Sequence, residues 1–152
     1  MDRIASFCVD HTVLNRGMYL SRRDGDVITW DIRMKRPNQG DYLSTGAAHT
    51  LEHLFATCAR NSAFRDAVLY VGPMGCRTGF YLLTRGLTDA QALQLATDCF
   101  RFMAHFEGAV PGASAVECGN YRDMDLSAAK REAAAMLEVL QGWSAGKMRY
   151  DA

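Results

Sequence analysis

Apolar and polar positions alternate most cleanly from Val27 to Lys35, where Ile28, Trp30, Ile32 and Met34 interleave with Thr29, Asp31, Arg33 and Lys35. That period of two predicts a strand with Arg33 on its polar face, ended by the turn-forming run Pro37-Asn38-Gln39-Gly40. The pattern then changes to a helical one. Ser44 or Thr45 is placed to cap a helix beginning near Ala47, with Leu51, Leu54, Phe55 and Cys58 as its apolar stripe as far as about Asn61. Residues 67–72 and 79–85 read as two further strands joined by Pro73-Met74-Gly75-Cys76-Arg77-Thr78, so Cys76 falls in a connection. Thr88, with Gln91 three residues on, forms a capping box for a second helix running to about Phe106, with Leu93, Ala96, Phe100 and Met103 inward. A third helix is predicted from near Ser127 to about Leu140, with Lys130 and Arg131 toward water.

A parallel crossover needs a dozen or more residues, so the short link between the second and third strands makes them antiparallel. The expected fold class is α+β, a mostly antiparallel sheet with helices packed on one face. No repeat or linker divides the chain, and the densest Pro/Gly stretch, Gly108 to Gly119, reads as a loop, so residues 1–152 are expected to form one domain. A chain of 152 residues is long enough to bury a core without staples. No pattern is legible from Gly142 onward.

Charge adds an exclusion. The 17 basic and 17 acidic residues balance, which leaves no electrostatic footprint for nucleic acid or an anionic membrane. Apolar runs such as Ala67-Val68-Leu69-Tyr70-Val71 and Phe80-Tyr81-Leu82-Leu83 are far too short to cross a bilayer, and the first residues lack a basic stretch followed by an apolar one. A cytoplasmic protein is expected. The 5 cysteines, Cys8, Cys58, Cys76, Cys99 and Cys118, show no paired spacing, and each taken alone reads as a small buried hydrophobe in a reducing compartment.

Chemistry concentrates on the first helix, in His49-Thr50-Leu51-Glu52-His53. Each helical residue advances about 100°, so imidazoles four apart lie on one face about a turn from each other and reach a single ion. Glu52, three residues after His49, falls on the same side, where a carboxylate can act on something bound to that ion. This is also the His-x-x-Glu-His signature of one class of zinc peptidases. A third ligand must come from elsewhere. The late helix offers Glu132 and Glu138; the alternative is Cys118 in Glu117-Cys118-Gly119-Asn120, where the glycine would let the backbone approach closely. Two imidazoles and one thiolate form a softer site than a peptidase has, accepting iron or zinc.

Several blocks in order carry a resemblance. Ser6-Phe7 with Asp10-His11, Asp31-Ile32-Arg33 with Pro37-Asn38, His49-Thr50-Leu51-Glu52-His53, Pro73-Met74-Gly75-Cys76 with Thr78-Gly79, and Cys118-Gly119 together resemble the S-ribosylhomocysteine lyases, the LuxS family. The resemblance implies a fold similar to half of a His-x-x-Glu-His peptidase domain. It implies metal ligation by His49, His53 and Cys118, acid/base roles for Glu52 and Cys76, and ribose contacts from Ser6, His11 and Arg33. Arg60 matches an arginine near the homocysteine end. Where some members carry an acidic residue, this chain has Tyr70.

The implied reaction converts S-ribosylhomocysteine into homocysteine and 4,5-dihydroxy-2,3-pentanedione, the precursor of autoinducer-2, by two isomerisations and an elimination. A divalent metal would polarise the sugar carbonyl, and two acid/base groups are needed because protons leave and return at successive carbons. A thiolate at Cys76 would be favoured by that metal's charge and by donors in its loop. The expected cofactor is one divalent ion per subunit, Fe2+ in the cell with Zn2+ as the alternative, and no organic cofactor. The resemblance also implies a homodimer with active sites at the interface. A small metallopeptidase and a non-catalytic metal-binding module are the competing classes. Cys8, Cys58 and Cys99 keep the packing assignment, and His105 reads as a helix-end residue.

Overall fold

The computed structural model describes residues 1–151, and among these the chain forms a four-stranded sheet and three long helices. Strand β1 (Gly17–Asp24) pairs with β2 (Val27–Arg33); helix α1 (Thr45–Arg60) follows, then β3 (Val68–Pro73), β4 (Gly79–Arg85), α2 (Asp89–Ala104) and α3 (Leu126–Gln141). The sheet order is β1-β2-β4-β3, with every neighbouring pair antiparallel. This is the expected α+β fold.

Two of the caps are those the sequence implies, and the third, Asp125, is not among them. The Ser44 side chain accepts from the Ala47 N–H, and Thr88 and Gln91 form a reciprocal capping box at the start of α2. Asp125, one residue before α3, accepts from the Ala128 N–H. His105 is the C-cap of α2. Inside α2 the stripe is rotated slightly from the predicted one: Leu95 and Cys99 are buried beside Ala96, Phe100 and Met103, whereas Leu93 is half-buried.

One strand escaped the sequence reading. In β1 the apolar run Met18-Tyr19-Leu20 gives way to Ser21-Arg22-Arg23-Asp24, which is too short an alternation to stand out. The legible signal was Gly25-Asp26, a glycine-first pair of the kind that makes a two-residue hairpin turn; it links Asp24 to its partner Val27, and Gly25 does take a positive φ of 62°.

Trp30, Ile32, Phe80 and Leu82 on the inner face of the sheet meet Leu51, Leu54 and Phe55 of α1, all fully buried. Phe55 is the keystone of this contact, its ring centroid 6.0 Å from that of Phe80 and 5.3 Å from that of Phe100. Burying one such ring is worth roughly 1.5–3 kcal/mol. These contacts set the rotation of α1, so His49, Glu52 and His53 emerge on its half-exposed side.

The second face of the sheet differs from expectation. Arg33 does lie on the polar face of β2, but that face is covered: Arg33 is 2% and Asp31 1% exposed. The residues after α3, which carry no sequence pattern, form the cover. They turn through a short 3-10 segment (Ala145–Lys147), the Met148 carbonyl accepts from the Leu20 N–H of the edge strand β1 at 2.8 Å, and Trp143 Nε1–H donates to the Met18 carbonyl at 2.7 Å. Covering an edge in this way removes unpaired donors and acceptors from water.

The cysteines divide. Cys99 is buried and Cys58 half-buried, in accord with packing, but Cys8 is exposed. The neighbouring Cys58 thiol, together with burial, pushes the Cys99 thiol up, so it stays protonated. No described helix is long and apolar enough to cross a membrane.

Candidate metal centre and substrate pocket

The i, i+4 spacing of His49 and His53 places their rings edge to face, with centroids 4.8 Å apart. The long loop between α2 and α3 brings a thiol to them: Cys118 Sγ lies 3.4 Å from His49 Nε2, and candidate ligand atoms of His49, His53 and Cys118 all lie within 4.8 Å of one another. Tetrahedral ligands at the usual Zn–N and Zn–S lengths would be about 3.5 Å apart, so the His49–Cys118 separation is already that of a shared ion.

Both imidazoles are oriented by backbone carbonyls. His49 Nδ1–H donates to the Asp123 carbonyl at 2.9 Å and His53 Nδ1–H to the Pro111 carbonyl at 2.7 Å. A carbonyl only accepts, so the proton belongs on Nδ1 and the Nε2 lone pair is free for a metal. The loop reaches His53 because of Gly112: its φ is +72°, and a Cβ there would lie 3.1 Å from His53 Nδ1. Gly119 does not play the expected part, since a Cβ added to it meets open space. Cys118 is placed instead by its own N–H, which donates to the Ser114 carbonyl at 3.0 Å.

Of the candidates for a third ligand, Cys118 is the one that lies beside the two imidazoles. Glu132 pairs with Lys35 at 2.9 Å, and Glu138 is exposed on α3. Among the described residues, His49, His53 and Cys118 are the group whose ligand atoms converge.

The remaining candidates fall into two cavities. Glu52 and Arg60 line one of about 400 Å³ together with His53 and Tyr70. Arg60 also donates through Nη2 to the Leu69 carbonyl at 2.9 Å. Ser6, His11, Arg33 and Cys76 line a second cavity of about 300 Å³, with Phe7 and Tyr81. The two cavities have no lining residue in common. Within one chain, therefore, Cys76 does not share a pocket with the candidate metal ligands, and the charge beside it is that of Arg33.

Arg33 is held rigidly. Its Nη2 donates to Asp31 Oδ2 at 2.7 Å and its Nη1 to Thr78 Oγ1 at 2.8 Å, while Nε has no partner. Burial opposes the guanidinium charge, but the Asp31 carboxylate beside it more than offsets this and raises its pKa. Tyr150 O–H donates to the same Asp31 oxygen at 2.8 Å. Thr78 Oγ1 lies 3.0 Å from Cys76 Sγ. Sequence reasoning assigned no site role to Asp31, Thr78 or Tyr150. Asp31 had a legible signal, an acid two residues before Arg33 on one strand face; Tyr150 had none.

Two imidazoles with Nε2 lone pairs free, a cysteine sulfur and a cavity beside them form a group that could hold a metal ion on an α+β scaffold, with room left for a further ligand. The family description S-ribosylhomocysteinase (LuxS) matches residues 4–146, and the chain belongs to that family. It is 50% identical over 139 aligned positions to an S-ribosylhomocysteine lyase of Desulfotalea psychrophila, covering 88% of this chain and 87% of that protein. Proteins of the same name from Phocaeicola vulgatus (48% identical, covering 99% of this chain and 98% of that protein) and Clostridium acetobutylicum (44% identical, covering 99% of each) match almost end to end.

Proposed function

We propose that this chain is a single-domain S-ribosylhomocysteine lyase, releasing homocysteine and 4,5-dihydroxy-2,3-pentanedione, the autoinducer-2 precursor. The convergent His49, His53 and Cys118 site, in a chain matched nearly end to end by S-ribosylhomocysteine lyases, carries the reading. These three residues hold one divalent cation per chain, iron in the cell and zinc as the alternative the same donors accept. When bound, that cation supplies Lewis acidity that polarises a sugar oxygen.

Glu52 and Cys76 are the acid/base pair. Each isomerisation removes a proton from one sugar carbon and returns it at the next, which needs two groups on different sides of the sugar. In the elimination the proton beside the relocated carbonyl is removed, the carbon–sulfur bond breaks, and the electron pair leaves with the homocysteine sulfur. Ser6, His11 and Arg33 bind ribose oxygens, and Arg60, with Tyr70 in the same cavity, faces the amino-acid end.

Separation of Glu52 from Cys76 into two cavities supports a homodimer in which the Cys76 pocket of one subunit faces the metal helix of the other. Phe7, which lines that pocket, is 65% exposed, and Ile4, whose carbonyl accepts from the Phe7 N–H, is 54% exposed, apolar surface that a second copy would cover. The free thiols suit the cytoplasm.

Thiol release from S-ribosylhomocysteine, measured with metal analysis of the same anaerobically purified protein, tests the activity. Glu52→Gln and Cys76→Ala are each expected to fold, retain metal and lose turnover. Mixing the two inactive variants restores part of the activity, because one site of the mixed dimer keeps both groups. Full turnover in either variant overturns the assigned roles; no recovery on mixing overturns the shared site.

A further inference from the structure

Thr78 is buried, 2% exposed, at the point where β4 begins, and it stands between two groups that the proposed chemistry uses. Arg33 Nη1, which can only donate, occupies one lone pair of its hydroxyl at 2.8 Å. Cys76 Sγ lies 3.0 Å away on another side. The Thr78 carbonyl accepts from the Met34 and Lys35 N–H groups at 2.8 and 2.9 Å, which pins the backbone of the residue to the end of β2. The hydroxyl position is therefore set by the fold.

We infer that Thr78 is a positioning residue for Cys76, holding its sulfur in the pocket by a hydroxyl that donates to the thiolate and is polarised from behind by Arg33. A hydroxyl has one proton. With Arg33 donating to it, that proton is free for the sulfur, and donation satisfies a buried O–H that would otherwise lack a partner. Successive hydrogen bonds polarise one another, so the guanidinium strengthens the O–H···S contact. When Cys76 takes a proton, its sulfur still carries lone pairs, so the hydroxyl goes on donating to it. Thr78 thus stays bonded to Cys76 through each proton transfer without movement of heavy atoms, which suits a group that must give up and regain its proton more than once in a turnover. Asp31 and Tyr150 stand behind Arg33 in the same chain of contacts and fix its guanidinium plane.

This assignment rests on Cys76 being an acid/base group, and its test separates the two. Iodoacetamide alkylation of Cys76, followed by peptide-resolved mass spectrometry at neutral pH, reads the thiolate without substrate or turnover. Thr78→Val, which keeps the shape and removes the hydroxyl, is expected to slow alkylation of Cys76 about tenfold, as for loss of a hydrogen bond to a charged group. The same variant lowers kcat for thiol release with little change in KM, while Thr78→Ser restores both readouts. If Thr78→Val does not fold, Thr78→Ala against Thr78→Ser makes the same comparison. Alkylation at the wild-type rate in a folded variant without the hydroxyl overturns the assignment. Slowed alkylation with unchanged kcat supports Thr78 as the partner of the thiolate and instead removes Cys76 from the reaction.

Discussion

His53 shows how much of the site hangs on single atoms. Its ring is turned by a carbonyl of the loop at Pro111, and the next residue, Gly112, passes so close that a methyl group would press on Nδ1 at 3.1 Å. Gly112→Ala would combine that contact with an L-residue at a φ of +72°. It should cost about 1–3 kcal/mol, by the usual scale of left-handed strain, and lower the metal content of the purified protein. Denaturant unfolding together with metal analysis checks both. At this scale the pairing of the two imidazoles on the helix was readable, because i, i+4 spacing fixes an angle. The role of Gly112 was not, because nothing near it in sequence announces a histidine more than fifty residues away.

The elements meet at the start of α3. Asp125 caps that helix through its carboxylate, and its N–H donates to Thr50 Oγ1 of α1 at 2.9 Å, so the last residues of the metal loop are fastened to the helix that bears the histidines. Asp125→Ala removes the cap and leaves the N–H in place. We expect a loss of about 1 kcal/mol in urea unfolding with metal content preserved, and metal loss would show the carboxylate to be part of the site's support. The helices and three of the strands could be drawn from period and caps alone. β1 could not, since its outer half is charged and its pairing depends on a hairpin partner. The burial of Arg33 was likewise invisible: alternation separates two faces of a strand but does not say what will cover each.

For the whole molecule the cover is the C-terminal segment. Tyr150 stacks on Tyr19 with ring centroids 5.0 Å apart and donates to Asp31, and burial followed by the Asp31 charge pushes the Tyr150 phenol up. Tyr19 and Tyr81 are raised for the same reasons in the same order. The sign follows directly. Above the ordinary tyrosine value of 10.0 the unfolded chain loses these protons before the folded one does, so stability is full below that pH and falls as pH rises through the folded values. Urea midpoints at about pH 8 and about pH 10.5 should differ, and Tyr150→Phe should reduce the difference, with Tyr19 and Tyr81 retaining the rest. An unchanged alkaline limb in that variant would show Asp31 to be held by other means.

Helix geometry, caps and strand alternation act over a few residues. From the chain alone they settle where the three helices and every strand but β1 lie, that β3 and β4 are antiparallel, and that His49, Glu52 and His53 share one face. Contacts made across the fold settle the rest. Cys118, 69 residues from His49, comes to lie beside the histidines because the loop docks on α1 through Asp123 and Pro111, leaving Glu132 to Lys35. Cys76 finds Arg33 and Thr78 rather than the histidines of its own chain because the sheet carries it to another cavity. Such long-range choices depend on which surfaces bury one another, a property of the packed molecule that no local spacing encodes.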